Sequence, residues 1–216
     1  MLETTTYTCS VCGASFSVPA DTLARFPNWI PKYCYKHSPK RSAAKKVKEG
    51  QHRKNNELDL PLREVLERFH KGPETGVFTD GSARPNPGPG GWGVVYVEDG
   101  KILAQKHGSQ PETTNNRMEL TALIEGYKMI NPKTEIDVYT DSELCCNIIN
   151  KWAAGWEKRG WKRKDGQIKN LELVQELYAL AKSRPLARLR WIKAHNGWRW
   201  NEYADSLATA WARSEL

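Results

Sequence analysis

The chain has 216 residues, 39% of them hydrophobic and 27% charged, so it is long enough for one ordinary domain plus a smaller appendage and can bury a core. Its formal net charge of +8 favours nucleic acid as a partner, although a basic protein without such a partner fits the charge equally well. No apolar run approaches the roughly 18 residues of a membrane span, so we expect no transmembrane helix.

Residues 1–37 hold three of the five cysteines. Cys9 and Cys12 have the same spacing as Cys34 and His37, and such paired ligands are typical of one structural Zn²⁺ in a Cys₃His site, with ordinary free thiols as the alternative. The segment resembles a zinc ribbon or small zinc finger. The odd number of cysteines and the lack of a secretory leader predict a reducing, cytoplasmic location.

Residues 38–73 form a predicted connection between two domains. Residues 38–56 are basic and almost free of large apolar side chains, which is typical of a solvated linker that can touch phosphates. Residues 58–70 are predicted to be helical, with Asp59 as the cap and Pro61 in the first turn. Four apolar residues fall at helical spacing, namely Leu62, Val65, Leu66 and Phe69.

From residue 74 to the end, short strand patterns come first and then alternate with helical ones. A strand leads into TDGS, and a hairpin is predicted to turn at Asp99-Gly100. A helix with Leu120, Leu123, Ile124 and Tyr127 on one face follows, then the strand TEIDVYTDS, two helices, the strand ARLRWIKAH and a last helix. This order predicts an α/β fold with a mixed sheet flanked by helices.

Two acidic residues, Asp80 and Asp141, are predicted at strand ends, where α/β proteins gather functional groups. Glu119 and Asp205 are predicted on helices, Asp205 near the start of the last one. Converging carboxylates repel each other unless a cation lies between them, and hard oxygen ligands select Mg²⁺ or Mn²⁺. Spacing alone does not bring the four together, and each of them taken singly is better explained as a surface residue or a helix cap.

The segments TDGSARPNPGPGGWG, TTNNRMEL, YTDS and HNGWRWNEYAD occur in the order of the signature segments of ribonuclease HI, and residues 75–213 resemble that family. The resemblance implies a five-stranded mixed sheet flanked by helices. It implies hydrolysis of the RNA strand of RNA–DNA hybrids with two Mg²⁺, Mn²⁺ being possible, leaving 5′-phosphate and 3′-hydroxyl ends. The implied metal ligands are Asp80, Glu119, Asp141 and Asp205.

The same resemblance assigns further residues. His195 matches a mobile histidine that relays a proton or assists product release, although the bulky Trp198 and Trp200 put the mobility of its loop in doubt. Close approach of the hybrid is expected at Gly81 and Ser82. Minor-groove contacts are implied for Asn86, Asn115 and Asn116, for which turn formation is the alternative.

Residues 151–166 interleave tryptophans with basic side chains and resemble the basic protrusion with which the family grips DNA. The binding residues implied there are Trp152, Trp156, Lys158, Arg159, Trp161 and Lys162. Two departures from the family pattern are acidic. Glu157 is expected to weaken the grip slightly, and Glu143 cannot donate the hydrogen bond of the glutamine common at its position.

The predicted organisation is a zinc module at 1–37, a linker and helix at 38–73, and a catalytic domain at 74–216, most simply in a monomer. For the zinc module and linker we expect added affinity for hybrid or duplex, with a protein partner as the rival. Two other functions stay open at this point: a non-catalytic nucleic-acid-binding protein of the same fold, or another metal nuclease such as an integrase-like or Holliday-junction enzyme.

Overall fold

The computed structural model describes residues 4–25, 30–37, 60–163 and 166–213. Its contacts divide the chain into two compact units, residues 1–57 and residues 58–216. The basic linker 38–56, the predicted cap Asp59 and Lys164 lie outside the described residues. None of the described helices combines the length and the apolar character that crossing a bilayer requires.

The N-terminal unit is built around one small hairpin. Strand β1 (Thr4–Thr8) pairs antiparallel with β2 (Ser15–Pro19), and helix α1 (Ala20–Arg25) follows directly. Its buried apolar side chains include Cys9 and Val18, and α1 buries none. A unit this small gains little from apolar burial, so its stability must come largely from another source.

The second unit contains five strands: β3 (Gly76–Ala83), β4 (Gly88–Glu98), β5 (Lys101–Thr113), β6 (Ile136–Thr140) and β7 (Ala187–Trp191). Its α-helices are α2 (Leu62–Arg68), α3 (Asn115–Met129), α4 (Glu143–Asn147), α5 (Ala153–Lys158), α6 (Leu171–Ser183) and α7 (Arg199–Thr209). A π-helical turn, Ile148–Trp152, joins α4 to α5, and a 3₁₀ turn, Ala210–Ala212, follows α7.

The strands form one sheet in the order β5-β4-β3-β6-β7. Within this sheet β4 pairs antiparallel with both β3 and β5, whereas β6 runs parallel to both β3 and β7. The hairpin turns at Asp99-Gly100, where both residues have positive φ (48° and 73°), as a type I′ turn requires. The predicted five-stranded mixed sheet is thereby confirmed.

Alternating strand residues feed two cores on opposite faces of the sheet. Val77 and Val94 face a core shared with α3 and α6, where the predicted apolar face of α3 is buried. Phe78 and Val95 face a second core built with α7 and α2. The sheet is therefore covered on both faces, and the ends of its strands are left to form a site.

Helix α2 begins after Pro61 and packs Val65 into the second core. Leu66, although it has helical spacing with these residues, is not part of the buried face, because it is 39% exposed. Leu62 and Phe69, at 3 and 4 residues from Val65, do pack against the core, whereas Leu66 follows Val65 directly and turns outward.

Candidate active site and zinc centre

Asp80 lies within β3 rather than at its end, which corrects the sequence-based expectation. The parallel pairing of β3 with β6 stops at Thr79, opposite Thr140. The antiparallel pairing with β4 continues, so that Asp80 lies opposite Gly93 and β3 reaches Ala83. Asp80 thus occupies the point where β6 has ended and β3 goes on, and its residue is only 9% exposed.

Asp141 follows the last residue of β6, as predicted. The next residue, Ser142, caps α4 by accepting a hydrogen bond from Cys145 N, and its hydroxyl donates a short hydrogen bond to the Glu119 carboxylate. On the other side, Trp191 Nε1 donates to the Asp141 carbonyl oxygen at 3.0 Å. The end of β6 is therefore fixed between α3 and β7.

Glu119 lies in the first turns of α3, which Thr114 caps. The backbone of this turn runs directly against Gly81, so closely that a Cβ on residue 81 would overlap Glu119 N and Met118 C. Gly81 is therefore required for the packing of α3 on β3, whatever it contributes to substrate. This close approach sets the carboxylate of Glu119 beside that of Asp80.

Asp205 lies in the middle of α7, not near its start, because the helix begins at Arg199 rather than at Asn201. The helix crosses β3 and β4, and two of its turns pack on Gly93, where a Cβ would meet Leu207 Cβ at 2.4 Å. From this position the Asp205 carboxyl lies near that of Asp80, close enough for each to change the pKa of the other.

Burial raises the pKa of all four carboxyl groups, neighbouring carboxylates of the four add to it at Asp80, Glu119 and Asp141, and Glu202 adds to it at Asp205, whose pKa Asp80 itself lowers. Burial is the larger cause at each of them. The pKa of Asp80 lies well above its ordinary value, with Asp205 as the next cause. The pKa of Asp141 rises to about 7 and that of Asp205 to about 6, while that of Glu119 rises by an amount limited by the Ser142 hydroxyl.

A divalent cation fits this arrangement. The pKa values of Asp80, Glu119 and Asp141 are each raised by burial and by a neighbouring carboxylate, a repulsion that a positive charge among them would relieve. The donors are all carboxylate oxygens, the ligands that Mg²⁺ and Mn²⁺ prefer. The residues proposed from the sequence are therefore brought to one place and carry the appropriate chemistry.

His195 lies in the exposed loop between β7 and α7, with a positive φ of 48°. Its Nδ1 is 3.8 Å from the carboxylate of Glu202, a residue only 4% exposed. Glu202 also accepts a hydrogen bond from Gly197 N at 3.2 Å, which ties it to the same loop. The Glu202 carboxylate is the first cause that raises the pKa of His195 to about 9, and Asp205 adds to it.

Sequence reasoning missed Glu202. Its ligand oxygen, that of Asp205 and a ring nitrogen of His195 all lie within 4.8 Å of one another. Glu202 precedes Asp205 by three residues, the spacing that puts two side chains on one helix face, and this was the signal that could have identified it.

The four zinc-ligand candidates of the N-terminal unit come together. Cys34 Sγ and Cys9 Sγ lie 3.3 and 3.7 Å from His37 Nδ1, and Cys12 Sγ lies 3.9 Å from Cys34 Sγ. A tetrahedral Zn²⁺ with ordinary bond lengths separates two sulfurs by about 3.8 Å and sulfur from nitrogen by about 3.6 Å. The pKa of Cys9 falls to about 5, chiefly because the backbone N–H of Cys34 hydrogen-bonds to it, which favours the thiolate that zinc binds.

The predicted minor-groove residues are arranged around the start of α3. Asn115 Oδ1 accepts from Ala83 N at 2.6 Å, and Asn86 Oδ1 accepts from Asn115 N at 3.3 Å. These two amides therefore hold the loop 84–87 onto α3, which is a structural role. Asn116 is exposed, and Ser82 is half-buried next to Gly81.

The basic protrusion consists of α5 and the turn that follows it. Trp156 and Trp161 pack against the first core, and Trp161 meets Tyr178 of α6 edge-on with ring centroids 5.9 Å apart. Trp152 is 40% exposed, as an accessible aromatic surface requires. The cationic side chains of Lys158, Arg159, Lys162 and Arg163 are all exposed.

Glu157, which was expected to weaken the binding of DNA by the protrusion, forms an ion pair with a neighbouring lysine. Its carboxylate accepts from Lys182 Nζ at 2.9 and 3.1 Å, which links α5 to α6. Glu143 lies exposed in the first turn of α4 and lines an open cavity of about 320 Å³ with Asn147, Lys151 and Trp191.

This chain is similar in sequence to known proteins. A family model described as RNase H matches residues 73–213. Ribonuclease H of Agrobacterium fabrum is 47% identical over 135 residues, which is 61% of this chain and 90% of that protein. Ribonuclease H of Erythrobacter litoralis is 45% identical over 134 residues, 62% of this chain and 92% of that one.

Solved structures are similar over the same region. LC9-RNase H1, described as a type 1 RNase H with the type 2 active-site motif, superposes with a TM-score of 0.52 at 34% identity over 65% of this chain and 74% of that chain. The foamy viral protease-reverse transcriptase solved with dsDNA superposes with a TM-score of 0.56 over 63% of this chain and 92% of that chain, and at 20% identity it shows the shared fold alone.

Proposed function

The chain belongs to the RNase H family, and from that premise we propose that Asp80, Glu119, Asp141 and Asp205 hold two Mg²⁺ ions, or Mn²⁺ in their place, for hydrolysis of the RNA strand of RNA–DNA hybrids. It is a ribonuclease H enzyme. The single observation that supports the site assignment is the proximity of the Asp80 carboxyl, on β3, to those of Asp205, Glu119 and Asp141, which come from three other segments of the chain.

When bound, the metal ions activate water and stabilise the negative charge that develops on the oxygens of the scissile phosphate, which leaves 5′-phosphate and 3′-hydroxyl ends. The four carboxylates supply the ligands. Ser142 holds the Glu119 carboxylate, and Trp191 holds the backbone of Asp141, so two of the ligands are oriented before anything binds.

His195 serves as the proton carrier. It is exposed at the mouth of the site, and Glu202 keeps a negative charge beside its Nδ1. This favours the protonated ring, which donates a proton to the leaving oxygen or accompanies the product out. Glu202 does not touch the substrate in this scheme and acts as a positioning residue.

Hybrid recognition uses the two sides of the site. The 2′-hydroxyl marks the RNA strand, and we assign the contacts with sugar and minor-groove atoms to Gly81, Ser82, Asn86, Asn115 and Asn116, at the end of β3, in the loop that follows it and at the start of α3. The protrusion binds the DNA strand, with phosphates against Lys158, Arg159 and Lys162 and with the exposed ring of Trp152 against sugar. Trp156 and Trp161 support the protrusion from beneath.

The experiment is a cleavage assay on labelled RNA–DNA hybrid, duplex RNA and duplex DNA, each with Mg²⁺ and with chelator. We expect cleavage of the RNA in the hybrid only, and only with metal. Asp80→Asn should abolish it, while Asp137→Asn, at the far end of β6, should retain it. Cleavage of duplex DNA would favour another nuclease of this fold, and survival of activity in Asp80→Asn would refute the proposed site.

For the N-terminal unit we propose a structural Zn²⁺ held by Cys9, Cys12, Cys34 and His37, and a role with linker 38–56 in raising affinity for hybrid or duplex. The distances among the four ligand atoms support the metal, and the basic composition of the linker supports the binding role. Removing residues 1–56 should weaken hybrid binding and flatten its salt dependence. Unchanged affinity and slope would instead favour a protein partner.

We further propose the division into a zinc module (1–37), a linker and helix (38–73) and a catalytic domain (74–216), acting as a monomer in the cytoplasm. Support for the location comes from the five free thiols, among them the buried neighbours Cys145 and Cys146. Light scattering on the purified protein tests the monomer.

A further inference from the structure

Residues 60–72, here called the strap, precede the part of the chain that matches the family model, which begins at residue 73. The strap contains α2 and lies along α7. At one end, Ser206 Oγ donates to the Leu60 carbonyl oxygen at 2.6 Å. At its other end the strap contacts the loop that carries His195. The strap therefore runs from the body of α7 to the mouth of the site.

Backbone pairing joins the strap to this loop. Lys71 forms a parallel bridge with Trp198, and Arg199 N donates to the Lys71 carbonyl oxygen at 2.8 Å. Arg199 is the first residue of α7, and its N–H is one of those that a helix start leaves without an intrahelical partner. Trp198 makes no side-chain cap there, so the strap supplies the partner that the helix start lacks.

The side chain of Arg199 reinforces the same junction. Its Nε donates to the Phe69 carbonyl oxygen at 2.7 Å, and its Nη2 donates to Nδ1 of His70 at 2.8 Å. Nε2 of His70 lies 3.1 Å from the Glu67 carbonyl oxygen, so the ring accepts from Arg199 and donates to its own helix. The guanidinium also lies over Trp200, with 5.7 Å from Cζ to the ring centroid.

Trp198 is held between the strap and the sheet. Gly72 has φ +104°, and a Cβ there would lie 2.8 Å from Trp198 Cγ, so the indole packs directly on the glycine. The other side of Trp198 meets Tyr139 of β6 edge-on, with centroids 6.2 Å apart. Residues 198–200 are therefore anchored, and only the exposed residues up to Gly197, which has φ +78°, are left to move with His195.

We propose that the strap is a positioning element of the active site, which fixes the base of the His195 loop through Arg199 and Trp198 and so sets the rate of turnover. This inference rests on the proposed role of His195. A group that transfers a proton must be held in place, since a displacement of about 1 Å costs on the order of 10²-fold in rate. Residues outside the family domain thereby control a group inside it.

The rival explanation is that the strap only adds stability, since Val65 buries its side chain in the core with Trp200 and Leu207. The test therefore compares full-length Arg199→Ala with Val174→Ala, which truncates a fully buried side chain of α6, outside both the strap and the His195 loop. Both are assayed at a temperature well below either melting point. Gly72→Ala, which displaces Trp198 from the strap side, provides a second variant.

We expect kcat to fall about tenfold in Arg199→Ala and in Gly72→Ala with KM nearly unchanged, and to be retained in Val174→Ala. Amide hydrogen exchange over residues 193–199 should accelerate in the first two variants only. Arg199→Lys, which keeps a donor, should recover part of the rate.

Equal kcat in Arg199→Ala and Val174→Ala would overturn the proposal, as would unchanged exchange over residues 193–199. A rise in KM with kcat kept would assign Arg199 to substrate binding and would also overturn it. His195→Ala separates the two levels of the argument: if it turns over like the wild type, the proposed role of the histidine fails, whereas the exchange measurement still reports on the strap.

Discussion

Gly81 and Glu119 are in direct backbone contact: helix α3 runs so close to strand β3 that residue 81 has no space for a Cβ. Because Asp80 precedes this glycine, the contact sets two carboxylates side by side on different elements. Gly81→Ala should push α3 away, lower stability by about 1–3 kcal/mol or more and reduce kcat strongly. Thermal unfolding and steady-state kinetics measure both effects.

Gly155→Ala is the matched control, since a Cβ in α5 would meet only the flexible Arg159 side chain at 3.4 Å. Alanine is the better helix former, so this variant should be neutral or slightly stabilised. If Gly81→Ala had the stability and turnover of the wild type, the packing of α3 on β3 would accommodate a Cβ at residue 81, and our interpretation of the contact would be wrong.

The stability of the metal-free protein should depend on pH through Asp141. Its pKa is about 7 in the fold, raised by burial and by Asp80, against about 3.9 in an unfolded chain. Between these values the folded state binds a proton that the unfolded state has released, so stability falls as pH rises from about 4 to about 7. Asp141→Asn should therefore melt at a higher temperature than the wild type at pH 8, and at nearly the same temperature at pH 4.

Asp137→Asn should change the stability at pH 8 in the opposite direction to Asp141→Asn. Burial raises the pKa of Asp137, but Arg188 and Arg190 outweigh it and leave that pKa below its ordinary value. Its contribution to stability is present above the unfolded pKa and disappears as pH falls through the folded pKa, so Asp137→Asn should be less stable than the wild type at pH 8.

Addition of Mg²⁺ should remove the difference in melting temperature between Asp141→Asn and the wild type, because the ion stabilises only a protein that binds it. A lower melting temperature of metal-free Asp141→Asn at pH 8 would refute the electrostatic account.

Zinc content should depend on the four N-terminal ligands, Cys9, Cys12, Cys34 and His37. Purified wild type should carry about one Zn²⁺ per chain and Cys12→Ser much less, as measured by elemental analysis, because Cys12 Sγ lies with the other three ligand atoms. Cys146→Ser, buried next to α3 in the catalytic unit, should keep its zinc. Equal zinc content in Cys12→Ser and Cys146→Ser would show that the metal is bound at another site or is not bound at all. Hybrid cleavage at saturating substrate should survive in Cys12→Ser, since a structural site takes no part in the chemistry.

The protrusion should act through charge. Replacing Arg159 and Lys162 by glutamine should raise KM for the hybrid severalfold, leave kcat nearly unchanged and lower the salt slope of binding by up to about two. Lys133→Gln is the control, because it removes a positive charge from the turn between α3 and β6, away from the end of β6 that carries Asp141. A kcat effect without a salt effect would contradict phosphate contact by these side chains.

The sequence by itself determined the elements and their order. Period-two and helical patterns located β6, α3 and the turn at Asp99-Gly100, because local propensity and turn chemistry decide these features. It also paired Cys9 and Cys12 with Cys34 and His37, since zinc ligands follow a local spacing rule. The family segments then identified the four carboxylates, which composition and spacing alone could not bring together.

Only the tertiary structure decided what surrounds those carboxylates. Whether Asp80 lies inside or at the end of β3 depends on which neighbouring strand stops first, and β6 stops before β4 does. The place of the strap beside Trp198 depends on contacts between residues distant in sequence, such as Lys71 with Trp198. No local pattern encodes such contacts, because they arise from the packing of whole elements against one another. The chemistry could therefore be predicted from short segments, whereas the supports that hold it in position required the fold.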